Sequence, residues 1–228
     1  MNRGTLRAVF LDVDGVLLDS LPQHLAICAD KAREYGLHLQ IPDVVTFRQM
    51  VAAGVKVSPM LEFFRAVGFP DDAAARATVD YGREFMTNYR PSTFPGIDAM
   101  LARLRGFGYS LGLVTANIAG NVEPALGDAL RHFDPRCLFY ADSLPQPRGK
   151  AWCLDEGARI LGISPDACVF VGDQPADAAA ARAAGAQFLG VTYGWGLPGN
   201  DASVRTVDSV EAIADALCGR KAPGRPSS

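Results

Sequence analysis

The feature that most constrains this chain is an apolar segment that ends in two aspartates, VFLDVDGV at positions 9–16. The apolar run predicts a buried β-strand, and because alternate side chains of a strand share a face, Asp12 and Asp14 begin on the same side of it. Two neighbouring carboxylates raise each other's pKa unless a cation lies close by, and carboxylate oxygens suit Mg²⁺. The motif therefore predicts a Mg²⁺ site, with an Asp-Gly turn beside a surface aspartate as the structural alternative.

Three further segments place polar groups after apolar or Pro/Gly-rich runs. The run LGLVTAN contains Thr115 near its end, and CVFVGD ends in Asp173, with Asp177 four residues later. Lys150 lies between these runs, directly after PQPRG. Each also has an ordinary explanation: Thr115 can finish a strand, Asp177 can be an acid favoured at a helix N-terminus, and Lys150 can be a solvated loop charge.

The chain divides into two regions of different pattern. From about Gly96 onward, strand-like apolar runs alternate with helical patterns, which indicates a parallel sheet covered on both faces. Residues 19–91 instead show helical patterns over 21–35, 58–67 and 71–89, with no convincing strand. This region is therefore expected to be a helical insertion that returns to the α/β core.

Taken in order, the aspartate pair, Thr115, Lys150 and Asp173 resemble the four motifs of the haloacid dehalogenase-like (HAD) phosphatase superfamily. The resemblance extends from about Phe10 to about Gly196. Each motif is weak alone, but the ordered set is specific. It implies an α/β fold, in which a Rossmann-like core with a parallel sheet carries an inserted α-helical cap.

This organisation assigns residues 1–18 and 92–216 to the α/β core and residues 19–91 to the helical cap. Residues 217–228 are expected to form a disordered tail, since residues 221–228 are rich in Pro, Ser and Arg. Within the core, the apolar pattern predicts one helix over residues 122–132.

The resemblance implies catalytic roles for three residues. Asp12 matches the nucleophile that forms an aspartyl-phosphate, and Asp14 matches the general acid/base. The haloacid dehalogenase branch itself typically lacks an aspartate at the position of Asp14, so its presence favours phosphate esters as substrates. Lys150 would neutralise phosphoryl charge and orient Asp12. Many family members have a proline where this chain has Ala151, and Arg148 is the competing cation.

The resemblance also implies a Mg²⁺ cofactor. The metal would be held by the Asp12 carboxylate, the Asp14 backbone carbonyl and Asp173. Asp177, one helical turn beyond Asp173, would hold either the water shell of the metal or the lysine. Its role as an ordinary acid at a helix N-terminus is an equal alternative.

Substrate contacts are implied at two places. The phosphoryl group would be held by four residues: Thr115, Ala116, Asn117 and Lys150. In the cap, His24 matches a histidine of β-phosphoglucomutase-like members that couples cap closure to catalysis, although a partly buried helix histidine is the slightly favoured alternative. Arg48 and Lys56 lie in a stretch that resembles the cap specificity loop of the family, but such cations are usually solvated.

Composition excludes several other classes of function. A net charge of -3 gives no reason to expect nucleic acid or an anionic membrane as a partner. No apolar run approaches the roughly 20 residues of a membrane helix, and the first residues lack the apolar stretch of a signal peptide. The five cysteines are scattered and form no C-x-x-C pair, which favours a reduced cytoplasm over zinc or disulfides.

These observations predict an enzyme that uses Mg²⁺ to hydrolyse a small cytosolic phosphate monoester through an aspartyl-phosphate, as phosphoglycolate phosphatases do. A β-phosphoglucomutase-like phosphomutase is the alternative, since the two share nucleophile, acid/base and metal. A binding or regulatory protein that retains only the scaffold is a third hypothesis. The motifs do not specify the phosphorylated metabolite or the oligomeric state.

Overall fold

The computed structural model describes residues 6–143, 148–197, 199 and 203–219. Its strands are β1 (Ala8–Leu11), β2 (Leu18–Asp19), β3 (Ser92–Thr93), β4 (Ser110–Val114), β5 (Leu138–Phe139), β6 (Cys168–Gly172), β7 (Gln187–Val191) and β8 (Thr206–Val207). Its α-helices are α1 (Leu21–Glu34), α2 (Val44–Ala52), α3 (Met60–Ala66), α4 (Asp71–Asn88), α5 (Ile97–Gly106), α6 (Ala119–Leu126), α7 (Lys150–Leu161), α8 (Pro175–Ala184) and α9 (Val210–Cys218). Within these described ranges, no helix is long and apolar enough to cross a membrane.

Six of the strands form one parallel sheet in the order β5-β4-β1-β6-β7-β8. Side chains of β1 alternate between two hydrophobic clusters, one on each face of the sheet. Helices α5, α6 and α9 contribute to one cluster, and α7 and α8 contribute to the other. The predicted α/β fold with a Rossmann-like parallel core is thereby confirmed.

Strand β1 lies between β4 and β6 and determines where polar groups meet. Its last residue, Leu11, is in register with Leu113 of β4 and Val171 of β6, so the three strands end side by side. The chain continues from β1 to β4 on one side and later returns to β6 on the other. This reversal of strand order makes the carboxyl end of β1 the usual place for a ligand in an open α/β sheet.

Phe10 anchors β1 against the helix on one face of the sheet. Its ring is fully buried and lies against two glycines, Gly112 of β4 and Gly157 of α7. A Cβ atom at Gly112 would lie 2.3 Å from the ring, and one at Gly157 would lie 2.4 Å from it. The two glycines therefore make the space that the phenylalanine fills.

Helices α1–α4, called the helical unit below, pack around a hydrophobic cluster of their own. Phe47, Phe63, Phe64 and Phe85 are fully buried in it. The chain enters the helical unit through β2 and leaves it through β3, and these two short strands pair antiparallel. The pairing holds the two connections together at the edge of the core.

Helix α2 was not expected from the sequence. Asp43 caps its N-terminus by accepting a hydrogen bond from the Thr46 N–H at 2.7 Å. Phe47 and Val51, four residues apart, are both buried on one side of the helix. The β-branched residues that open the segment disfavour a helix locally, and burial of Phe47 and Val51 outweighs that preference.

Two core predictions need correction. The helix predicted over residues 122–132 begins earlier, ends at Leu126 and continues as a 3₁₀ helix, because Gly127 takes a positive φ of 51°. The expected tail from residue 217 begins too early, since α9 runs to Cys218 and buries Leu217. The side-chain pair Arg103–Asp215, 2.6 Å apart, also fixes α9 to α5. Residues 220–228 of the expected tail lie outside the described residues.

The packing of Phe10 predicts opposite effects of one substitution at two helical glycines. Gly157→Ala should lower the free energy of unfolding by about 1–3 kcal/mol, because the new methyl group overlaps the Phe10 ring. Gly82→Ala is the control: Gly82 is exposed in α4 and has no atom within 4 Å of an added Cβ, so alanine should stabilise by up to about 1 kcal/mol. Urea unfolding of both variants measures the difference, and equal stabilities would contradict this account of the packing.

Candidate active site

Four charged side chains meet at the carboxyl ends of β1 and β6. Lys150, the first residue of α7, donates to Asp12 Oδ2 at 2.6 Å and to Asp177 Oδ1 at 2.7 Å. Asp12, Asp173 and Asp177 are almost fully buried, and one oxygen of each lies within 4.8 Å of the others. Three carboxyl groups thus surround one ammonium group, which contacts two of them, in a site with little access to water.

Asp12 is held from both sides. Its backbone N–H donates to the Val171 carbonyl of β6, and its Oδ1 accepts from the Val13 N–H at 2.8 Å. Burial raises the pKa of Asp12 above its usual value, Lys150 opposes that change, and the Asp177 carboxylate adds to it. The carboxylate is therefore fixed in position by the strand ends and needs a neighbouring positive charge to stay ionised.

The backbone packs so closely around the Asp173 side chain that two of the surrounding positions must be glycine. Its Oδ2 accepts from the Trp195 N–H at 2.5 Å, and its Oδ1 is buried without a hydrogen-bond partner. A Cβ at Gly15, which has a φ of 78°, would lie 2.0 Å from Oδ2, and one at Gly194 would lie 2.5 Å from it. Burial raises the pKa of Asp173 well above its usual value, and Asp177 and Asp12 raise it further.

Asp177 contacts Lys150 and also caps α8, which are two of the three roles that the sequence left open. Its Oδ2 accepts from the backbone N–H groups of Asp173 and Gln174, each at 3.1 Å, which closes a capping box at the start of α8. Its Oδ1 accepts from Lys150. Both oxygens are engaged, so Asp177 orients the lysine while it caps the helix.

The structure distinguishes between Arg148 and Lys150, the two candidate cations for contact with Asp12. Although burial acts to lower it, the Asp12 and Asp177 carboxylates raise the pKa of Lys150 above its usual value. Arg148 instead lies over the Trp152 ring, 5.5 Å from its centroid, and is exposed. Lys150 is the cation that the fold brings to Asp12.

Asp14 lies beside this group in a hydrogen-bonded network of neutral partners. Ser20 Oγ donates to its Oδ1 at 2.6 Å, and Asn117 Nδ2 donates to its Oδ2 at 3.0 Å. Thr115 Oγ1 accepts from the Asn117 N–H, so that backbone group is already engaged, while Ala116 is exposed next to it. The predicted phosphoryl-binding residues thus lie together, and Asn117 has a further contact with Asp14.

His24 is buried between the helical unit and the core. Its Nδ1 lies 2.7 Å from the Ser20 carbonyl oxygen and its Nε2 lies 3.1 Å from the Tyr81 hydroxyl. The ring packs against Phe85 and Trp195, with centroids 4.5 and 4.9 Å apart. Burial lowers the pKa of His24 below its usual value, against the opposing effect of Asp14. The histidine is therefore a packed part of the helical unit that also lines the cavity described next.

A cavity of about 690 Å³ opens above the carboxylates, between the helical unit and the core. Lys56 lines it from the connection between α2 and α3, whereas Arg48 is not among its lining residues. Arg48 instead donates to the Tyr193 carbonyl at 2.6 Å. The expected contact of Arg48 with substrate is therefore replaced by a contact between the helical unit and the core loop.

Three residues of this site were missed or left undecided from the sequence. Ser20 and Tyr81 had no motif around them, and only the fold brings them to Asp14 and His24. Trp195 was not predicted as a site residue, and it is both buried and part of the cavity wall. The only signal for it was its aromatic side chain in a glycine-rich loop.

Comparison with known proteins agrees with this geometry. A family model described as haloacid dehalogenase-like hydrolase matches residues 6–185. A phosphoglycolate phosphatase of Chromobacterium violaceum is 30% identical, over 95% of this chain and 99% of that protein. A plasmid-encoded phosphoglycolate phosphatase of Cupriavidus necator is 32% identical, over 90% of each chain.

Solved structures show the same fold at lower sequence identity. A haloacid dehalogenase-like hydrolase from Streptococcus pneumoniae superposes with a TM-score of 0.75 at 22% identity, over 92% of this chain and 98% of that one. A putative β-phosphoglucomutase from Thermotoga maritima gives 0.66 at 18% identity, over 93% and 99%. Since the family match spans most of the chain and phosphatase relatives align over nearly all of it, the protein belongs to the haloacid dehalogenase-like hydrolase family, on its phosphatase branch.

Proposed function

We propose that this protein uses Mg²⁺ to hydrolyse a small phosphate monoester through an aspartyl-phosphate on Asp12. The observation that carries the proposal is the 2.6 Å contact between Lys150 Nζ and Asp12 Oδ2. It places a cation beside a buried carboxylate at the base of the cavity, where a phosphoryl group would bring further negative charge. The phosphatase relatives support a phosphorylated small molecule as substrate.

In the first step, an Asp12 carboxylate oxygen attacks phosphorus and the bond from phosphorus to the ester oxygen breaks. Asp14 gives its proton to that leaving oxygen, so the product leaves as an alcohol. Lys150 and the Thr115 hydroxyl offset the charge on the phosphoryl oxygens. The hydrogen bonds of Ser20 and Asn117 fix the Asp14 carboxyl group for this transfer.

In the second step, water attacks phosphorus and the bond to the Asp12 oxygen breaks. Asp14, now ionised, takes the proton from the water, so inorganic phosphate is released and both aspartates return to their starting forms. The helical unit acts as a cap over the cavity and limits the access of other nucleophiles. Closure of this cap is the step at which a mutase and a hydrolase would differ.

The donor set fits a divalent cation. Asp173 Oδ1 is buried without a partner, and the three neighbouring carboxylates exceed the single lysine in charge. Asp12, Asp173 and the Asp14 carbonyl would hold Mg²⁺, while the two oxygens of Asp177 remain on Lys150 and the α8 backbone. When bound there, the ion would supply positive charge to offset the charge of the phosphoryl oxygens.

The contact of Arg48 bears on the mutase alternative. A mutase needs a second anion site in the cap. Of the two predicted cap cations, Arg48 is bound to a core carbonyl, and only Lys56, which is exposed, lines the cavity. Hydrolysis is therefore the better supported outcome. The five cysteines are scattered along the sequence and form no C-x-x-C pair, which supports the cytoplasm as the location of the enzyme.

The metal assignment is tested with Asp173→Asn in metal-free protein. Because the pKa of Asp173 is raised, the folded state keeps a proton on this carboxyl group that the unfolded chain releases. Binding of this proton stabilises the folded state at low pH, and the stabilisation is lost as pH rises. At pH 8 the uncharged Asn should therefore make the metal-free protein more stable than wild type. Mg²⁺ at about 100 times its Kd should stabilise wild type by about 2.7 kcal/mol and the variant far less.

Urea unfolding at pH 8, with and without Mg²⁺, measures both effects. Asp128→Asn is the matched control, since Asp128 is exposed and distant in sequence from the cluster, and it should change stability by less than about 0.5 kcal/mol. An Asp173→Asn variant that gains as much from Mg²⁺ as wild type would contradict the metal assignment.

The nucleophile is tested with Asp12→Asn. This variant should release no phosphate above background and should carry no phosphoryl group, because an amide does not displace an alcohol from phosphorus. Asp14→Asn should slow turnover by about 10²–10⁴-fold, as expected for loss of a general acid/base. Phosphate release over a panel of small esters that includes phosphoglycolate, with intact-protein mass after acid quench, checks both. Near-normal turnover by Asp14→Asn would remove it as the acid/base.

The two cations give a third test. Lys150→Ala should reduce kcat by about 10²–10³-fold, because the phosphoryl charge loses its fixed partner. Arg148→Ala should change kcat by less than about threefold, since Arg148 lies over Trp152. Circular dichroism must first show that Lys150→Ala is folded, because it leaves Asp12 and Asp177 without their cation. A larger loss with Arg148→Ala would overturn the assignment.

A further inference from the structure

We propose that the alcohol part of the substrate is uncharged and largely apolar. The inference rests on the proposed function and narrows it, because it concerns the part of the cavity beyond the phosphoryl group. The base of the cavity is polar, with Asp12, Asp14, Thr115 and Lys150. The walls above this base have a different character.

The wall from the helical unit is formed by the end of α2 and the connection to α3. It presents a series of apolar side chains to the cavity, namely Val51, Val55, Val57, Pro59 and Met60. Val55 has 38% of its surface exposed, although valine in a loop gains nothing from contact with water. An apolar ligand group would cover this side chain.

The wall from the core is also largely apolar. Cys153 of α7, Ala180 of α8 and the Trp195 ring face the same cavity. Cys153 behaves as a small hydrophobic group here, since burial raises the pKa of its thiol to about 11. A ligand that leaves the polar base therefore meets apolar surface on both sides.

The cations around the cavity are poorly placed for a second anion. Lys150 is bound to two carboxylates, and Arg148 lies over Trp152. Arg148 and Lys56 both line the cavity, and both are exposed to solvent, so neither offers a buried partner to an anion. A carboxylate enclosed between the apolar walls would lose its hydration without a buried partner.

The size of the cavity agrees with a substrate whose alcohol part is apolar. At about 690 Å³ it lies within the range of about 300–1,000 Å³ typical of sites that enclose most of a drug-sized ligand. A two-carbon acid attached to phosphate would leave much of that space filled by water. A longer alkyl or aryl group would displace the water and bury apolar area, at a gain of about three- to fourfold in affinity per methylene.

The test uses phosphonates, which bind like phosphate esters but have no ester bond to cleave. Phosphonopropionate replaces the ester oxygen of phosphoglycolate by a methylene, and propylphosphonate has the same chain length with a methyl in place of the carboxylate. Titration calorimetry with Mg²⁺ present gives the Kd of both, and of butyl- and hexylphosphonate. We expect propylphosphonate to bind more tightly than phosphonopropionate, and affinity to rise with each added methylene.

Two valines of the helical unit provide matched variants. Val55→Ser should weaken hexylphosphonate about three- to tenfold, because it removes apolar wall. Val45→Ser should leave its Kd unchanged, since Val45 is 63% exposed on α2 and does not line the cavity. Both sites are exposed, so both variants should fold, which circular dichroism checks.

Phosphate release from propyl and hexyl phosphate and from phosphoglycolate separates this inference from the proposed function. Phosphate release that favours phosphoglycolate, or tighter binding of phosphonopropionate than of propylphosphonate, overturns the apolar substrate and leaves the hydrolase intact. The expected phosphonate series without Mg²⁺-dependent release from any ester supports the apolar subsite and contradicts the hydrolase. Affinity that does not change with chain length, or with Val55→Ser, also overturns the inference.

Discussion

The ion pairs of Lys150 are the interaction on which the rest of this site depends. Asp12, Asp173 and Asp177 are brought into a buried space by the ends of β1 and β6, and repulsion between them opposes folding. Lys150 offsets part of this charge through two contacts. A buried charge is stable only when it is paired, so α7 must begin where its first residue reaches both carboxylates. The negative charge that remains after this pairing is the observation on which the proposed metal site rests.

Trp195 connects this charged group to the helical unit. Its backbone N–H holds Asp173, while its ring packs with His24, Phe47 and Phe63 in the hydrophobic cluster of that unit. Arg48 makes a second link by donating to the neighbouring Tyr193 carbonyl. The loop that positions a carboxylate therefore also positions the wall of the cavity. Glycine at positions 15 and 194 allows this close approach, since a Cβ atom at either would overlap Asp173.

Prediction from sequence succeeded where chemistry and periodicity are both local. The aspartates follow an apolar strand, the alternation of strands and helices indicates a parallel sheet, and the ordered motifs resemble a family that the comparisons confirm. Prediction failed where the burial of a side chain, which depends on residues far apart in the chain, determines the local structure. Helix α2 opens with β-branched residues and forms because Phe47 and Val51 are buried, and α9 runs to Cys218, into the expected tail, because Leu217 is buried. Arg48 has the same chemistry as a substrate-binding cation, and its actual partner is 145 residues away.

The sequence by itself determined the fold class and the set of charged residues, because strand periodicity and the order of the motifs are properties of neighbouring residues. Only the tertiary structure decided between Lys150 and Arg148 as the partner of Asp12, gave Asp177 contacts with both Lys150 and the α8 backbone, and turned Arg48 away from the cavity. These outcomes depend on distances between residues far apart in the chain. The apolar character of the cavity walls was decided in the same way, since it arises where the α2–α3 connection faces helices α7 and α8.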